Sequence, residues 1–301
     1  YYMKILSFGS MNIDNTYSVD EFVQPGETMT AKNLSKFCGG KGLNQSIALA
    51  AAGADVSHFG CVGEDGDILL DMLKSRGVNT DSVIRIDNIT SGHAIIQVDS
   101  HGQNSILLYP GANRRMTPEL IDRELEKYSC GDWLLIQNET NCLEYIMRAA
   151  NKKGMKIAFN PSPMDGTVST LPLELVDLFL VNEIEGAAVT GKEITEEITA
   201  EFEKLFPNAA VILTLGKKGS VFKSEKDMLF QPSYCGTVKD TTGAGDTYTG
   251  FFIANYIKGV SLQECMRIAA MASTVQISRD GAAIAIPTKQ EVLDALKNHC
   301  R

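Results

Sequence analysis

The chain reads as an α/β protein, a doubly wound and mostly parallel sheet with a small β-sheet lid. Three observations predict this. Short apolar, β-like runs recur at 4–9, 56–61, 133–137, 156–160, 178–181 and 210–214. Helical stretches lie between and after them, at 43–52, 68–76, 118–128, 142–153, 183–190, 247–257, 264–278 and 289–298. This alternation places parallel strands in one sheet with helices on both faces. Two segments then break the rhythm. Residues 16–37 are polar and hold the turn Pro25-Gly26-Glu27-Thr28. Residues 91–110 hold two strand candidates, 94–98 and 105–109, joined by a turn around 100–104. Together they predict a small antiparallel sheet, with an ordinary surface hairpin as the alternative. A sheet there would cover the strand ends, where open α/β sheets bind ligands, and its exposed face would suit a dimer.

Composition bounds the rest. With 301 residues, 44% of them hydrophobic, the chain fits one large α/β domain over 3–301, with lid segments inserted at about 14–37 and 91–111. Tyr1-Tyr2, ahead of Met3, are left out of this reading. No apolar run approaches the ~20 residues that span a bilayer, and the first strand lacks the basic flank of a signal peptide. A net charge of −9 argues against nucleic acid and acidic membranes as partners. It leaves ATP open, because backbone dipoles and Mg²⁺ bind phosphate in acidic proteins. The 7 cysteines are scattered without a C-x-x-C pair, which signals neither zinc nor disulfides and fits a reducing cytoplasm. Cys38 reads as a small buried filler.

The run Asp240-Thr241-Thr242-Gly243-Ala244-Gly245-Asp246 carries the most chemistry. Small residues let a ligand approach the backbone, and the amides of a helix start attract anions. A carboxylate beside phosphate needs a chemical task, so the run suggests phosphoryl transfer with Asp246 as general base. A Gly-rich turn capped by Asp is the plain alternative. Gly39-Gly40-Lys41-Gly42-Leu43-Asn44-Gln45 opens another helix, with Lys41 and Asn44 as donors. It is not a Walker loop, whose spacing is absent from the chain, and no G-x-G-x-x-G follows the first strand.

Asn12 and Asp14 alternate onto one face of an extended segment. An amide beside a carboxylate suits vicinal hydroxyls; an Asx turn or helix cap is the plain reading. Glu139 ends an apolar strand, at the edge where substrate groups gather. Asn182 and Glu185 open a helix, either to order water on Mg²⁺ or as N-cap and capping-box partner. Thr214, Gly216 and Gly219 follow a strand and could pass nucleotide phosphates or ribose. The 4 histidines show no metal spacing.

In this order, the clusters resemble the ribokinase-like (PfkB) carbohydrate kinases. The run 240–246 is similar to that family's C-terminal signature and 40–63 to its N-terminal one. Gly9-Ser10-x-Asn12-x-Asp14, Pro25-Gly26-Glu27-Thr28, Gly111-Ala112-Asn113 and Asn182-x-x-Glu185 resemble its ribose-phosphorylating members. The resemblance implies the ribokinase-like fold and a lid that also builds a homodimer. It implies that Asn12, Asp14, Gly40, Lys41, Asn44 and Glu139 hold the sugar, with Asp246 as base and Gly243, Ala244 and Gly245 as its anion hole. Asn182, Thr214, Gly216, Gly219, Gly245 and Ala270 would border ATP, and Glu185 would reach Mg²⁺ through water. A monovalent cation, K⁺, would sit at Asp240, Thr242, Gln276, Arg279, Gly281 and Ala285. Ala285 stands where the family often has serine and supplies no hydroxyl, and Ala270 stands where a polar residue is common near adenine.

The expected reaction moves the γ-phosphoryl of ATP to the primary hydroxyl of a small neutral sugar, D-ribose first. Deoxyribose, fructose or a nucleoside are the alternatives within the family. A sugar-binding regulator without catalysis is the alternative of another class, marked by a damaged anion hole or replaced base, and this chain has neither.

Overall fold

The computed structural model describes residues 3–299. Of the expected domain, residues 300 and 301 lie outside the described residues, as do Tyr1-Tyr2. In chain order the elements begin with β1 (Ile5–Phe8), β2 (Asn12–Ser18), β3 (Asn33–Gly39), α1 (Lys41–Ala51), β4 (Val56–Val62) and α2 (Asp67–Ser75). Next come β5 (Val83–Arg85), β6 (Gly92–Val98), β7 (Asn104–Tyr109), α3 (Pro118–Leu125), β8 (Trp133–Gln137), α4 (Leu143–Lys152) and β9 (Lys156–Asn160). The last part holds β10 (Leu178–Asn182), α5 (Glu183–Thr190), α6 (Thr195–Leu205), β11 (Ala210–Thr214), β12 (Gly219–Lys223) and β13 (Met228–Pro232). Three helices close the order: α7 (Ala244–Tyr256), α8 (Leu262–Ile277) and α9 (Lys289–His299). No helix among the described residues is long and apolar enough to cross a membrane.

The main sheet has the order β13-β12-β11-β10-β9-β8-β1-β4-β5, parallel from β11 to β5, with β12 antiparallel to both β11 and β13. From β1 the chain first builds outward through β4 and β5, then returns to the other side for β8 to β11. The order therefore reverses between β1 and β8, the place where an open α/β sheet leaves a crevice beyond its strand ends. Buried side chains alternate between two cores, one on each face of the sheet. In β10, Leu178 and Leu180 join the core of Leu43, Ile47 and Phe251, whereas Phe179 and Val181 join that of Phe8, Phe59 and Phe159. Period-two alternation with both faces apolar is what a covered parallel sheet requires.

The expected small sheet is present, in the order β3-β2-β6-β7. It is mixed rather than antiparallel, because β2 and β6 pair in parallel. Each excursion leaves the α/β body on its first strand and returns on its second, so the two outgoing strands run side by side. The short strand β5, the hairpin β12–β13 and helix α6 were not expected. Helix α6 carries a polar, exposed face, and in the hairpin only the short apolar stretches Val221-Phe222 and Met228-Leu229-Phe230 stand between polar residues. Helix α7 begins at Ala244 rather than 247, because Gly243 caps it at φ 78°.

Helices α1 and α7 cross at Gly250. A methyl group there would lie 2.7 Å from the Leu49 amide nitrogen and 2.8 Å from the Ala48 carbonyl carbon. Gly250→Ala is expected to cost ~1–3 kcal/mol by overpacking, lowering Tm by about 3–10 °C. An unchanged thermal melt would show that the two helices separate freely.

Candidate active site

The site forms at the β1/β8 reversal. Beyond β1 the chain passes Ser10 and enters β2, whose first residue, Asn12, pairs with Gly39 on one side and Gly92 on the other. Both glycines leave space that neighbouring side chains fill: a methyl on Gly39 would strike the Asp14 carboxylate, and one on Gly92 would strike the amides of Asn12 and Asn113. Asn113 Nδ2 donates to Asn12 Oδ1 at 2.8 Å. The Asn12 oxygen is thereby used, and its Nδ2 remains as a donor. Beside it, burial and the charge of Glu139 push the Asp14 carboxyl up to about 6.

Glu139 follows β8 and gathers the turn into α1. Ser10 Oγ and the Lys41 amide, the latter at 3.0 Å, both donate to its Oε2. Burial raises its pKa, against the pull of those two bonds and of the Lys41 charge. Lys41 keeps its own charge: burial opposes it, but Asp246, Glu139 and Glu185 together outweigh burial and raise its pKa. Gly40 caps α1 at φ 93°, a left-handed conformation in which a side chain would be strained.

Asp246 lies in the first turn of α7 and is buried. Asn44 Nδ2 donates to one of its oxygens at 3.0 Å and Gln45 Nε2 to the other at 2.9 Å. Gln45 also donates to Asn160 Oδ1 at 3.0 Å and accepts from Gln137 Nε2 at 2.7 Å. Asn44 Oδ1 is buried without a partner among the described residues, an acceptor that suits a ligand hydroxyl.

Lys41, Asn182, Glu185, Thr214 and Asp246 border a cleft of about 200 Å³, with Gly243, Ala244 and Gly245 along one wall. The amides of Gly245 and Asp246 belong to a first turn that has no intrahelical acceptor. Ala244 differs, because its N–H donates to the Thr241 carbonyl at 3.2 Å. A second cavity, about 560 Å³ and mostly apolar, shares Thr214, Thr241, Ala244, Gly245 and Tyr248 with the first and extends past Gly216, Gly219 and Ala270. Asn182 and Glu185 form a complete capping box on α5. The plain reading of that pair therefore holds, and yet Glu185 also faces the cleft. Its Oε2 accepts from the Asn182 amide at 3.1 Å and from Asn160 Nδ2 at 3.4 Å. Its Oε1 takes part in neither bond, which suits a water of Mg²⁺.

The positions expected to hold a monovalent cation come together but do not suit one. Asp240 accepts the Thr242 amide at 2.8 Å and the Gly281 amide at 3.0 Å. Gln276 Nε2 lies 3.0 Å from the Thr242 carbonyl and 3.2 Å from that of Gly281. Arg279 reaches the Ala285 carbonyl at 3.5 Å. Two of the expected oxygen ligands thus already face an N–H group and a third faces a guanidinium, and neither of those groups can bind a cation.

Sequence reasoning passed over Ser10, Gln45, Gln137, Asn160 and Asn113 as site residues. Gln45 was detectable, since Lys41, Asn44 and Gln45 stand at helical spacings of three and four and share one face. Gln137 and Asn160 end β8 and β9, the same edge as Glu139.

A family profile, pfkB family carbohydrate kinase, matches residues 3–289. The chain belongs to this family. It is therefore a carbohydrate kinase, a phosphotransferase whose acceptor is an alcohol group. It is similar to a ribokinase of Haemophilus influenzae, 33% identical over 298 residues that cover 96% of this chain and 97% of the relative. The structure of a Thermotoga maritima ribokinase superposes with a TM-score of 0.88 at 31% identity, covering 99% of this chain and 100% of that one. An Arabidopsis thaliana ribokinase solved with ribose and ATP gives a TM-score of 0.86 at 28% identity, covering 99% of both chains. Family membership extends over the whole sheet, so the pfkB kinase fold includes both the reversal crevice and the small β-sheet.

Proposed function

We propose that this carbohydrate kinase transfers the γ-phosphoryl of ATP to the primary hydroxyl of D-ribose, giving ribose 5-phosphate. The observation that carries the reading is the position of Asp246. Its carboxylate is held by Asn44 and Gln45 and borders the small cleft, whose wall of Thr241, Ala244 and Gly245 is shared with the larger apolar cavity. In this reading Asn12, Asp14, Lys41, Asn44, Glu139 and the Gly40 turn hold the sugar. The Asn12 amide nitrogen donates, and the Asp14 carboxylate accepts, as a pair of adjacent hydroxyls requires. The likeness to ribokinases, one of them solved with ribose and ATP, supports the same choice.

Asp246 accepts the proton of the attacking hydroxyl, a role worth ~10²–10⁴-fold in rate. The amides of Gly243, Gly245 and Asp246 and the start of α7 face the transferring phosphoryl and offset its charge. Ala244 shapes the turn, its own N–H being spent on Thr241. Adenine lies in the larger cavity against Ala270, and Asn182, Thr214, Gly216 and Gly219 border the phosphates and ribose of the nucleotide. Mg²⁺, reached through water from Glu185, neutralises phosphate charge when bound. The small sheet acts as a lid that excludes water. Its exposed Leu34, Ile95 and Leu107 share the face opposite Asp14, an apolar face that a second copy would cover. A monovalent cation is not part of this proposal.

ATP-dependent phosphorylation is to be measured across ribose, 2-deoxyribose, fructose and common nucleosides, with the mass in solution determined on the same sample. The highest kcat/KM is expected for ribose, at twice the chain mass. Preference for a nucleoside would overturn the substrate, and a monomer would overturn the dimer.

A further inference from the structure

The side chain of Gln276 is fully buried, in the last turn of α8. Its amide nitrogen lies among three main-chain carbonyls, those of Thr242 at 3.0 Å, Gly281 at 3.2 Å and Ala282 at 3.1 Å. Its oxygen accepts from Thr247 Oγ1 at 3.0 Å, which orients the amide with its hydrogens toward the carbonyls. Thr247 follows Asp246 directly in α7. One side chain therefore ties the loop ahead of α7 to the loop at 281–282 and to the helix that carries the proposed base.

Asp240 completes the tie from the opposite polarity. Its carboxylate takes the N–H groups of Thr242 and Gly281, the same two residues whose carbonyls Gln276 takes. Burial works against the Asp240 charge, but the bonds from Thr242 and Gly281 hold its pKa below the usual carboxylate range. Both polar groups of residues 242 and 281 are thus satisfied within the chain. A potassium ion is held when carbonyl oxygens replace its hydration shell. Here the carbonyls converge on N–H hydrogens, whose partial positive charge substitutes for that ion and repels it.

We infer that the Gln276 carboxamide is a built-in substitute for a monovalent cation, holding the anion-binding turn of α7 in place so that phosphoryl transfer by this chain is independent of K⁺. Gln276 is a positioning residue. It acts through the Thr242 carbonyl and Thr247 on the turn that carries Gly243 to Asp246. Deletion of the amide would leave a ring of carbonyls turned toward an empty space, which a cation of suitable size can enter.

The test compares KCl, CsCl and tetramethylammonium chloride at equal ionic strength, about 100 mM, with turnover of ribose and Tm as readouts. For the unaltered chain kcat is expected to agree within about twofold and Tm within about 1 °C across the salts. A larger potassium effect on either readout overturns the inference. Gln276→Ala is expected to lose about tenfold or more of kcat in the organic salt and to regain most of it in KCl or CsCl. Its Tm should also rise with KCl, as it does for any ligand that binds the folded state alone. Equal loss in every salt, with no melting response, counts against the inference. Should that variant fail to fold, the salt series on the unaltered chain decides alone. The turnover arm rests on the ribose assignment and the melting arm does not, so failure of one is distinguishable from failure of the other.

Discussion

Replacing Asp246 with asparagine is expected to lower kcat by ~10²–10⁴-fold, the worth of a positioned base, while ribose still binds. The variant should fold. Asp246 accepts from Asn44 on one oxygen and from Gln45 on the other, so a carboxamide turns one of these bonds into a contact between two donors. Gln45 cannot flip to relieve it, because its oxygen already accepts from Gln137 at 2.7 Å. Asn44 can, since its Oδ1 has no partner among the described residues. Flipping Asn44 presents that oxygen to the new NH₂ group and relieves the contact, with the Asn44 NH₂ turned to the place that its oxygen held. The measurement is steady-state kinetics beside ribose binding by calorimetry. Turnover within about tenfold of the unaltered enzyme would remove Asp246 from the base role.

Asp14→Asn is expected to lower kcat/KM for ribose by ~30–100-fold, because charge-assisted bonds to two hydroxyls become neutral ones. The same change should stabilise the empty protein at neutral pH. Burial, and then Glu139, raise the Asp14 pKa to about 6 from the ordinary aspartate value of 3.8. Between these values the folded chain holds a proton that the unfolded chain has released. Charged Asp14 therefore destabilises the fold above pH ~6, and that penalty fades as the pH falls toward ~4. The gain in Tm from Asp14→Asn should fade over the same window. In the proposed function binding has the opposite sign, because the Asp14 carboxylate accepts the sugar hydroxyls. For the unaltered enzyme kcat/KM should fall as the pH drops below about 6, at most tenfold per unit, and the limb centred there should be missing from the variant. A variant with unchanged kcat/KM would separate Asp14 from the sugar.

How far these residues were legible depended on how local their signal was. Apart from the short, partly exposed edge strand β5, which was not expected, the parallel strands were plain because each buries both faces, so an apolar run such as Leu178-Phe179-Leu180-Val181 survives any neighbour. The β12–β13 hairpin was not, since its apolar stretches, Val221-Phe222 and Met228-Leu229-Phe230, are too short to mark strands. The small sheet was visible as two interruptions, yet the parallel pairing of β2 with β6 was hidden. Residues 12–18 and 92–98 are far apart in the chain, and only folding brings them side by side. In the candidate site, Asp246, Lys41, Asn44, Asn12 and Asp14 sit in short motifs with small residues around them, and these are readable. Gln45, Gln137 and Asn160 act through one another across α1, β8 and β9, a coupling that no single segment displays.

The cation positions show the limit most sharply. By sequence, the resemblance could supply Asp240, Thr242, Gln276, Arg279, Gly281 and Ala285 only as positions around a monovalent cation, and it pointed to Ala285, which has no hydroxyl, as the weak place. The folded chain puts the weakness at Gln276, whose side chain enters the ring of carbonyls that its neighbours form. The sequence by itself thus determined the α/β class, because apolar runs are local, and its short Gly-rich motifs carried the resemblance to the kinase family and pointed to Asp246 as the candidate base. Tertiary structure alone decided the mixed pairing of the small sheet, the amide relay behind Asp246 and the fate of the cation ring. Each of those depends on where a polar group finds its partner, and that partner is supplied by a distant part of the chain.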